Sequence, residues 1–297
     1  MDRLTSMTVF AKVAASKSFS AAARELGISQ ATASKHVQTL EAWFGARLLH
    51  RTTRRVGLTE AGESFFNQCT RILEDMDAAL LAGRPDSRPR GILRISAPVA
   101  FGGTRLGALA VEFMQLNPAL QLNIMLSERP VDVIEEGYDI ALRVGYGKPE
   151  PQSHVGLVIK TIVPLRFILC AAPSYLAQRS APLTPAELAD HPCLTDTRHP
   201  GDVWRFRSEQ GEDEVAVAGP LRSDNALLRR DAALAGAGIL LAPAFVVDDD
   251  LAAGRLIALL PNHTAPGASL DLVFPTHRGT SPKLRALVAF LTEALAR

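Results

Sequence analysis

A short helix, a turn with glycine and a second helix constrain the first sixty residues more than any other feature. The stretch "SFSAAARELG" predicts a helix that is capped at Ser20 and ends near Gly27, where a left-handed residue belongs. Ser29 is then placed to cap another helix from about 30 to 44. This order of elements is typical of a helix-turn-helix.

The helix over 30–44 has two unlike faces. Ala33, Val37 and Leu40 recur on one side and are expected to pack inward. The other side presents small and polar side chains, namely Ala31, Ser34, Lys35 and Gln38. Such side chains reach base edges when a helix lies in the major groove, and a helix N-terminus can hold a phosphate. A surface helix of a small bundle is the alternative.

The next segment is rich in arginine. "RLLHRTTRRVGLTEAG" holds four arginines from Arg47 to Arg55, and its "RRVGLT" is rich in residues that favour strands. We expect a short two-stranded wing here, with phosphates as its natural contacts. Residues 1–62 carry nine Lys and Arg against four Asp and Glu, although the whole chain has a net charge of only +1. This asymmetry favours a polyanionic partner for the first module.

A long helix follows, which Thr59 is placed to cap and which runs to about Leu81. Its apolar residues recur at spacings of four, three, four and three, a pattern that predicts a coiled-coil seam between two subunits. The seam consists of Phe65, Cys69, Ile72, Met76 and Ala79. It covers only about two heptads.

The segment "AGRPDSRPRG", residues 82–91, predicts a hinge, after which strands and helices alternate. Predicted strands are "GILRIS", "LQLNIML", "YDIALRVG", "LRFILCAA", "AVAGPLRS", "GILLAP" and "SLDLVFP". Predicted helices cover 104–116, 130–136, 173–178, 225–236 and 244–253, and the last begins at Ser281. Alternation of this kind predicts mainly parallel sheets covered by helices. A compositional change near Pro164 suggests two lobes with a ligand cleft between them.

Other classes of protein find less support. No apolar run reaches the ~18 residues of a membrane-spanning helix, and the start "MDRLTSMTVF" is not typical of a secretory signal. The three cysteines lack CxxC spacing, which favours a reducing compartment, and we expect the cytoplasm. The "GAG" at 236–238 is an incomplete dinucleotide fingerprint, and GxSxG and Walker motifs are absent from the sequence. We therefore expect no enzymatic activity and no cofactor.

One loop contains residues that can bind metals. His191, Cys193, Asp196 and His199 lie within nine residues, but their spacing is not that of a zinc site, and a loop with incidental polar residues is favoured. Cys69 is interpreted as a core residue of the long helix. A redox role for Cys193 is the minor alternative to a structural one.

The first sixty residues match the motif of a known family along most of their length. "FSAAARELGISQATASKHVQTLEAWFGARLLHRTTRRVGLTEAG" resembles the winged helix-turn-helix of LysR-type transcriptional regulators. "VDVIEEGYDIALRVG", "WRF", "LAGAGILLAP" and "DDLAAGRL" follow in the order expected for that family. The chain is most similar to a large subgroup with "SAP" at 96–98.

The resemblance implies an α+β multidomain chain. A winged helix-turn-helix would occupy 1–62, a linker helix and hinge 63–90, and a periplasmic-binding-protein-like effector domain 91–297. Lobe I of that domain would comprise 91–163 and 268–297, and lobe II 164–267. The implied activity is sequence-specific DNA binding by a homodimer or homotetramer, controlled by an unknown small-molecule effector. The alternative is a solute-binding or enzymatic α/β protein with a fused helical domain.

The resemblance also implies two sets of site residues. The DNA-binding set is Ser20, Ser29, Gln30, Ala31, Thr32, Ser34, Lys35, Gln38, Arg51, Arg54 and Arg55. The effector-binding set is Ala97, Pro98, Ala100, Phe101, Val144, Gly145, Thr195, Asp196 and Asn225. No metal ligand is implied.

Three of these residues depart from what relatives carry. Ala31 stands where the family often has proline, Lys35 where it often has arginine, and Ala100 where many relatives have serine. Because Ala100 has no hydroxyl, we expect Thr195 and Asn225 to be the side-chain donors. Backbone N–H groups after Pro98 would favour an anionic group on the effector. The expected effector is a small organic acid or a polar aromatic compound.

Overall fold

The computed structural model describes residues 2–51, 56–81, 89–146, 156–198, 202–209, 211–265, 267–279 and 281–296. The chain divides into two compact units, residues 1–87 and 88–297, and each is described by itself. In the part of the chain that the structure describes, no helix has the length and apolarity needed to cross a membrane.

The first unit is a helical module with a small wing. Its elements are α1 Arg3–Ser16, α2 Phe19–Glu25, α3 Gln30–Phe44, β1 Leu49–Arg51, β2 Val56–Leu58 and α4 Glu60–Leu81. The strands β1 and β2 pair antiparallel, so the predicted wing is present. Phe10 of α1 is fully buried among Ala22 of α2, Val37 of α3 and Cys69 of α4. One shared core therefore holds the four helices together.

The helix ends follow the capping rules, with one correction. Ser29 Oγ accepts a hydrogen bond from the Thr32 N–H, and Gly27 has φ +66°, both as predicted. Thr59 Oγ1 accepts from the Gly62 N–H and so caps α4. The cap of α2, however, is Ser18, whose Oγ accepts from the Ala21 N–H. The prediction of Ser20 as the cap was wrong because α2 begins two residues earlier.

The predicted seam on α4 does not form one continuous free face. Cys69 is fully buried in the unit's own core, and the Phe65 ring packs on those of Phe10 and Phe44. Ile72 is exposed. The spacing of the seam was read correctly, but its first two members pack within the chain because α1 lies against the start of α4.

The second unit contains two sheets and a hairpin. Its strands are β3 Gly91–Ala97, β4 Leu120–Leu126, β5 Ile140–Tyr146, β6 Leu157–Leu165, β7 Phe167–Ala171, β8 Cys193–Leu194, β9 Val203–Ser208, β10 Gly211–Ala216, β11 Ile239–Pro243, β12 Ile257–Ala258 and β13 Ala268–Pro275. Its helices are α5 Val99–Phe101, α6 Gly107–Leu116, α7 Pro173–Leu176, α8 Ala226–Leu234, α9 Ala244–Ala252 and α10 Pro282–Ala294. A π-helical turn, Gly102–Leu106, joins α5 to α6.

The strand order defines two lobes. Lobe I is built on the sheet β4-β3-β5-β13-β6, and lobe II on β12-β7-β11-β8. The prediction of mainly parallel sheets was wrong. In lobe I, β3 pairs parallel with β4 and β5, but β13 pairs antiparallel with β5 and β6. In lobe II, β7 is antiparallel to both β11 and β12. The lobe I sheet is mixed because β13, which returns to it from lobe II, runs antiparallel to both of its neighbours.

Two local predictions also failed. Residues 130–136 form turns rather than a helix, because Asp132 Oδ1 accepts the N–H groups of Ile134 and Glu135 and so closes a side-chain turn. The stretch 216–223 contributes only isolated bridges beyond the end of β10. Gly219 there packs its Cα against the Cys193 backbone, where a side chain would collide.

Candidate functional sites

The outer face of α3 is the first candidate site. Ala33, His36, Val37 and Leu40 are buried on the inner face. Opposite them, Gln30, Ala31, Lys35 and Gln38 are exposed, whereas Ser34 is half-buried. Since the inner face is fully used by the core, the polar residues predicted to read bases all lie on one outward surface.

The hydroxyls at the start of α3 have structural partners. Ser29 Oγ and Thr32 Oγ1 lie 2.8 Å apart, and Ser29 also caps the helix. Ser20 is exposed on α2, with its Oγ 3.1 Å from that of Ser18. These three residues of the predicted DNA-binding set are thus at the surface and also engaged in local hydrogen bonds.

His36 is a structural residue that the sequence did not separate from its polar neighbours. Its Nδ1 lies 3.0 Å from Ser6 Oγ, and both side chains are buried. The pair joins α1 to α3, and Ser6 Oγ also donates to the Asp2 carbonyl. Its position between the inward Ala33 and Val37 was the available signal. A buried hydrogen bond of this kind fixes the angle at which α3 presents its outer face.

The wing is described only in part. The backbone of Arg51 belongs to β1, while Arg54 and Arg55 lie outside the described residues. The wing is anchored through the Thr59 hydroxyl, which donates to the Arg47 carbonyl at 2.7 Å.

A cavity of about 750 Å³, here called the interlobe cavity, is the second candidate site. Residues of both lobes line it, among them Ser96 and Arg143 from lobe I and Phe167 and Trp204 from lobe II. Four residues of the predicted effector-binding set are in its wall: Pro98, Ala100, Val144 and Asp196. The cleft expected between two α/β lobes is therefore present.

The other five residues of that set are not in the cavity wall. Ala97 and Phe101 are buried in the core of lobe I. Asn225 caps α8, where its Oδ1 accepts the N–H groups of Leu227 and Leu228, so the amide is already used. Thr195 is buried in lobe II, and Gly145 leaves room for the Asp271 carboxylate. The expectation that Thr195 and Asn225 supply donors to the cavity is not met by this geometry.

The N-terminus of α5 is also occupied. Glu128 Oε1 accepts the Val99 N–H at 3.2 Å, so an internal carboxylate takes the place that the sequence assigned to an effector anion. Burial raises the pKa of Glu128, despite the opposing charge of Arg198 and hydrogen bonds from the Ala100 and Val99 N–H groups. The Val99 N–H of this turn is therefore already bonded to a carboxylate of the protein itself.

Arg198 joins the two lobes at the cavity. Its Nη1 lies 2.9 Å from Glu128 Oε2, and its Nη2 lies 2.7 Å from Asp196 Oδ2. Arg229, which is buried, donates to the same Asp196 oxygen at 2.9 Å. Burial alone would raise the pKa of Asp196, but hydrogen bonds from Arg198 and the charges of both arginines outweigh it and lower that pKa. Glu128, Arg198 and Arg229 were missed because ion pairs between residues 33 and 70 positions apart leave no local pattern.

The cysteine- and histidine-containing loop has structural partners. His191 Nδ1 lies 2.7 Å from the Tyr175 hydroxyl, and Cys193 Sγ donates to the Leu188 carbonyl at 3.7 Å. Asp196 faces the arginines of the cavity, and His199 lies outside the described residues. Among the residues described, no group of three or more His, Cys, Asp or Glu is arranged to hold a metal. Burial raises the pKa of Cys193 to about 12, which disfavours thiolate chemistry.

Comparison with known proteins decides the family. The model for the bacterial regulatory helix-turn-helix protein, lysR family, matches residues 4–63. The model for the LysR substrate binding domain matches residues 86–296. This chain is a LysR-type transcriptional regulator. The predicted order of a helix-turn-helix followed by an effector-binding domain is confirmed, and the enzymatic or solute-binding alternative is not favoured.

Relatives of this LysR-type regulator match along nearly their whole length. The HTH-type transcriptional regulator DmlR of Escherichia coli (strain K12) is 34% identical, with 99% of this chain and 94% of the relative covered. The solved structure of CrgA, a LysR-type transcriptional regulator from Neisseria meningitidis, is 33% identical with a TM-score of 0.63, and 99% of each chain is covered. Full-length AphB, a Vibrio cholerae virulence activator, is 26% identical with a TM-score of 0.61, also over 99% of each chain. These relatives are regulators rather than enzymes.

Proposed function

We propose that this regulator binds double-stranded DNA through the outer face of α3 and the β1–β2 wing. The observation that carries the proposal is the division of α3, whose inner face is buried while Gln30, Ala31, Lys35 and Gln38 are exposed. The surplus of positive charge in residues 1–62 supports it, since polyanion binding draws its affinity from such charge. Arg51, Arg54 and Arg55 are proposed to hold the backbone or the minor groove beside the wing.

Substitutions on α3 test this assignment. Ser34→Ala or Lys35→Ala should weaken binding to a selected operator fragment, at a cost of about 1–3 kcal/mol for each base that is no longer recognised. Binding is measured by fluorescence anisotropy of a labelled fragment at several salt concentrations. Lys160→Ala is the matched control, since it removes an exposed lysine from the second unit.

Arg54→Ala separates phosphate contact from base reading. It should lower affinity for operator and unrelated DNA alike and flatten the dependence of binding on salt. The DNA-binding face would be assigned wrongly if Ser34→Ala, Lys35→Ala and Arg54→Ala all bound like Lys160→Ala. A protein that bound no DNA at any salt concentration would contradict the proposed function itself.

We place the effector in the interlobe cavity, within the predicted effector domain of 91–297. The cavity has the size of a typical small-molecule site, and its wall combines aromatic side chains with arginines and carboxylates. An effector controls DNA binding only if it binds two arrangements of the protein with different affinity. The junction between the lobes at Arg198 is the place where occupation of the cavity can change such an arrangement.

We further propose a homodimer or homotetramer assembled through the linker helix α4, acting in the cytoplasm. Ile72 supports the assembly, because this large apolar side chain on α4 is 47% exposed in the single chain. The last seam residue, Ala79, lies where the side chains are not described. The linker and hinge would occupy 63–90 in this scheme.

A further inference from the structure

Most charged side chains in the wall of the interlobe cavity form an ion pair with an oppositely charged neighbour inside or outside the wall. Arg129 pairs with Glu136, Arg205 with Glu214, and Arg229 with Asp196. Arg198 bridges Asp196 and Glu128, and Asp202 lies 3.3 Å from Arg222. The three carboxylates of the wall and four of its five arginines therefore each lie in an ion pair.

Arg143 on β5 differs from the other arginines of the wall because it has no carboxylate partner among the described residues. Its Nη2 donates to the Val131 carbonyl at 2.7 Å, but its buried Nε has no hydrogen-bond partner among the described residues. Its cross-strand neighbour Asp271 is turned elsewhere: Oδ1 accepts from Thr161 Oγ1 at 2.7 Å, and Oδ2 lies over Gly145. Within the described chain, no carboxylate forms an ion pair with Arg143.

Arg143 is half-buried and lies in the cavity wall, where a guanidinium without a counter-charge attracts an anion. A carboxylate brought by a ligand would supply that counter-charge. The planar guanidinium suits a carboxylate well, because it offers fixed N–H donors and charge-assisted bonds. The neighbouring N-terminus of α5 cannot share the ligand's charge, since Glu128 occupies it. A single available arginine favours a carboxylate over a doubly charged phosphate.

The rest of the wall fits an apolar body. Phe167, Trp204, Leu241 and Phe245 belong to it, together with small residues such as Ala100 and Ala141. A volume of about 750 Å³ leaves room for a ring or an alkyl chain beyond the carboxylate. The cavity wall thus offers an arginine that has no ion pair in the described chain, together with apolar surface for the remainder of the ligand.

We propose that Arg143 anchors the carboxylate of a small organic acid with an aromatic or aliphatic body, and that this acid is the effector. The inference rests on the proposed effector role of the interlobe cavity. It names a residue and a ligand class for that role.

The test uses the full chain and matched pairs of probes: benzoate and benzamide, phenylacetate and phenylacetamide, and hexanoate and hexanamide. Thermal unfolding is followed with each probe, and calorimetry then measures the dissociation constant of each acid that stabilises the protein. At least one acid should raise the unfolding temperature where its amide does not. Arg143→Gln should weaken binding of that acid tenfold or more.

Arg129→Gln is the matched control, because it removes another arginine of the wall, one already paired with Glu136. It should change the dissociation constant less than twofold. Arg143→Lys keeps the charge but loses the planar donors, and it should bind with intermediate affinity. It also carries the test if Arg143→Gln unfolds.

Three results would overturn the proposal: no acid stabilises the protein, amides bind as well as acids, or Arg143→Gln and Arg143→Lys both bind like the wild type. Operator binding by the ligand-free wild-type protein is measured alongside. Operator binding together with any of the three results would contradict this inference and leave the proposed DNA-binding function standing.

Discussion

At the scale of single residues, Asp139 has an unusual concentration of partners. It is 1% exposed and accepts from Arg278, from the Arg94 N–H at 2.8 Å and from Lys283 Nζ at 3.4 Å. Lys283 also donates to the Ile92 carbonyl at 2.5 Å. The carboxylate therefore neutralises two cations inside lobe I and connects β3 to the start of α10.

Replacing Asp139 should unfold lobe I more readily than any change at its surface. Asp139→Asn keeps the shape but leaves Arg278 and Lys283 without their buried counter-charge, which costs about 3–5 kcal/mol when such a pair is broken. Urea denaturation measures the decrease in stability. Glu212→Gln breaks an exposed pair with Arg207 and should leave the midpoint unchanged. Equal midpoints for the two variants would refute this account.

The three cysteines lead to a prediction about reactivity. Cys69, Cys170 and Cys193 are buried, and burial raises the pKa of each thiol to about 12. At pH 8 the folded protein should therefore react with a disulfide reagent far more slowly than the protein in guanidinium, where thiols have a pKa of about 8.5. The raised pKa values also imply that folded-state stability falls as the pH rises above about 9. Fast labelling of native Cys193 would restore the redox hypothesis.

At the scale of elements, the apolar stripe of α4 is divided between the core and the surface of the single chain. Phe65 and Cys69 complete the core of the first unit, whereas Ile72, one turn further, is exposed. An apolar stripe of constant spacing can contact one partner at the start of a helix and another partner further along. The spacing determines which face of the helix is apolar, but it does not determine which surface covers that face.

Ile72→Asp should convert the oligomer to monomers in sedimentation experiments, because it places a charge in the proposed interface. The fold of the unit should persist, since Ile72 is exposed in the single chain. Leu183→Asp makes the same change at a residue that is 80% exposed in the second unit, and should leave the oligomer intact. An unchanged oligomer in Ile72→Asp would move the main interface away from α4.

At the scale of the whole effector unit, Arg198 connects lobe I to lobe II through two unlike carboxylates. The pKa of Glu128 is raised chiefly by burial, with a smaller contribution from the charge of Asp224. The pKa of Asp196 is lowered because its arginine partners outweigh burial. On acidification Glu128 takes up a proton first, and the connection breaks at its lobe I end.

The sign of the stability effect differs between the two acids. The pKa of Glu128 in the folded protein lies above its ordinary value of 4.5, so protonation of Glu128 does not lower the stability of the fold as the pH falls. The pKa of Asp196 lies below its ordinary value of 3.8, so the contribution of Asp196 to stability is lost only below about pH 3.8. The protection factors of the cavity-lining strands against hydrogen exchange, which account for the pH dependence of the intrinsic exchange rate, should therefore decrease under mildly acidic conditions while the unit stays folded. Glu128→Gln should show the lower protection already at neutral pH. A variant with the exchange pattern of the wild type at every pH would show that this ion pair does not hold the lobes together.

The sequence by itself determined the local elements whose signals lie within a few residues. Helix α3 spans the predicted residues 30–44, because a serine cap, an apolar face and Gly45 at φ +78° all act over short distances. The β1–β2 wing and the Thr59 cap of α4 were predictable for the same reason, because their sequence signals also lie within a few residues. The hairpin β9–β10 could also have been predicted, since Trp204 and Phe206 alternate with Arg205 and Arg207 before Gly211.

Only the tertiary structure decided strand direction, edge position and the chemistry of the cavity. β6 escaped prediction because Pro164 argues against a strand, yet β6 is an edge strand, where proline is tolerated. The return of β13 to lobe I made that sheet mixed, which depends on pairing across more than a hundred residues. Arg143 has no ion pair in the described chain, and its cross-strand neighbour Asp271 accepts a hydrogen bond from Thr161 instead. Local physics fixes helices and turns, whereas pairing between distant residues fixes which charges are left to bind a ligand.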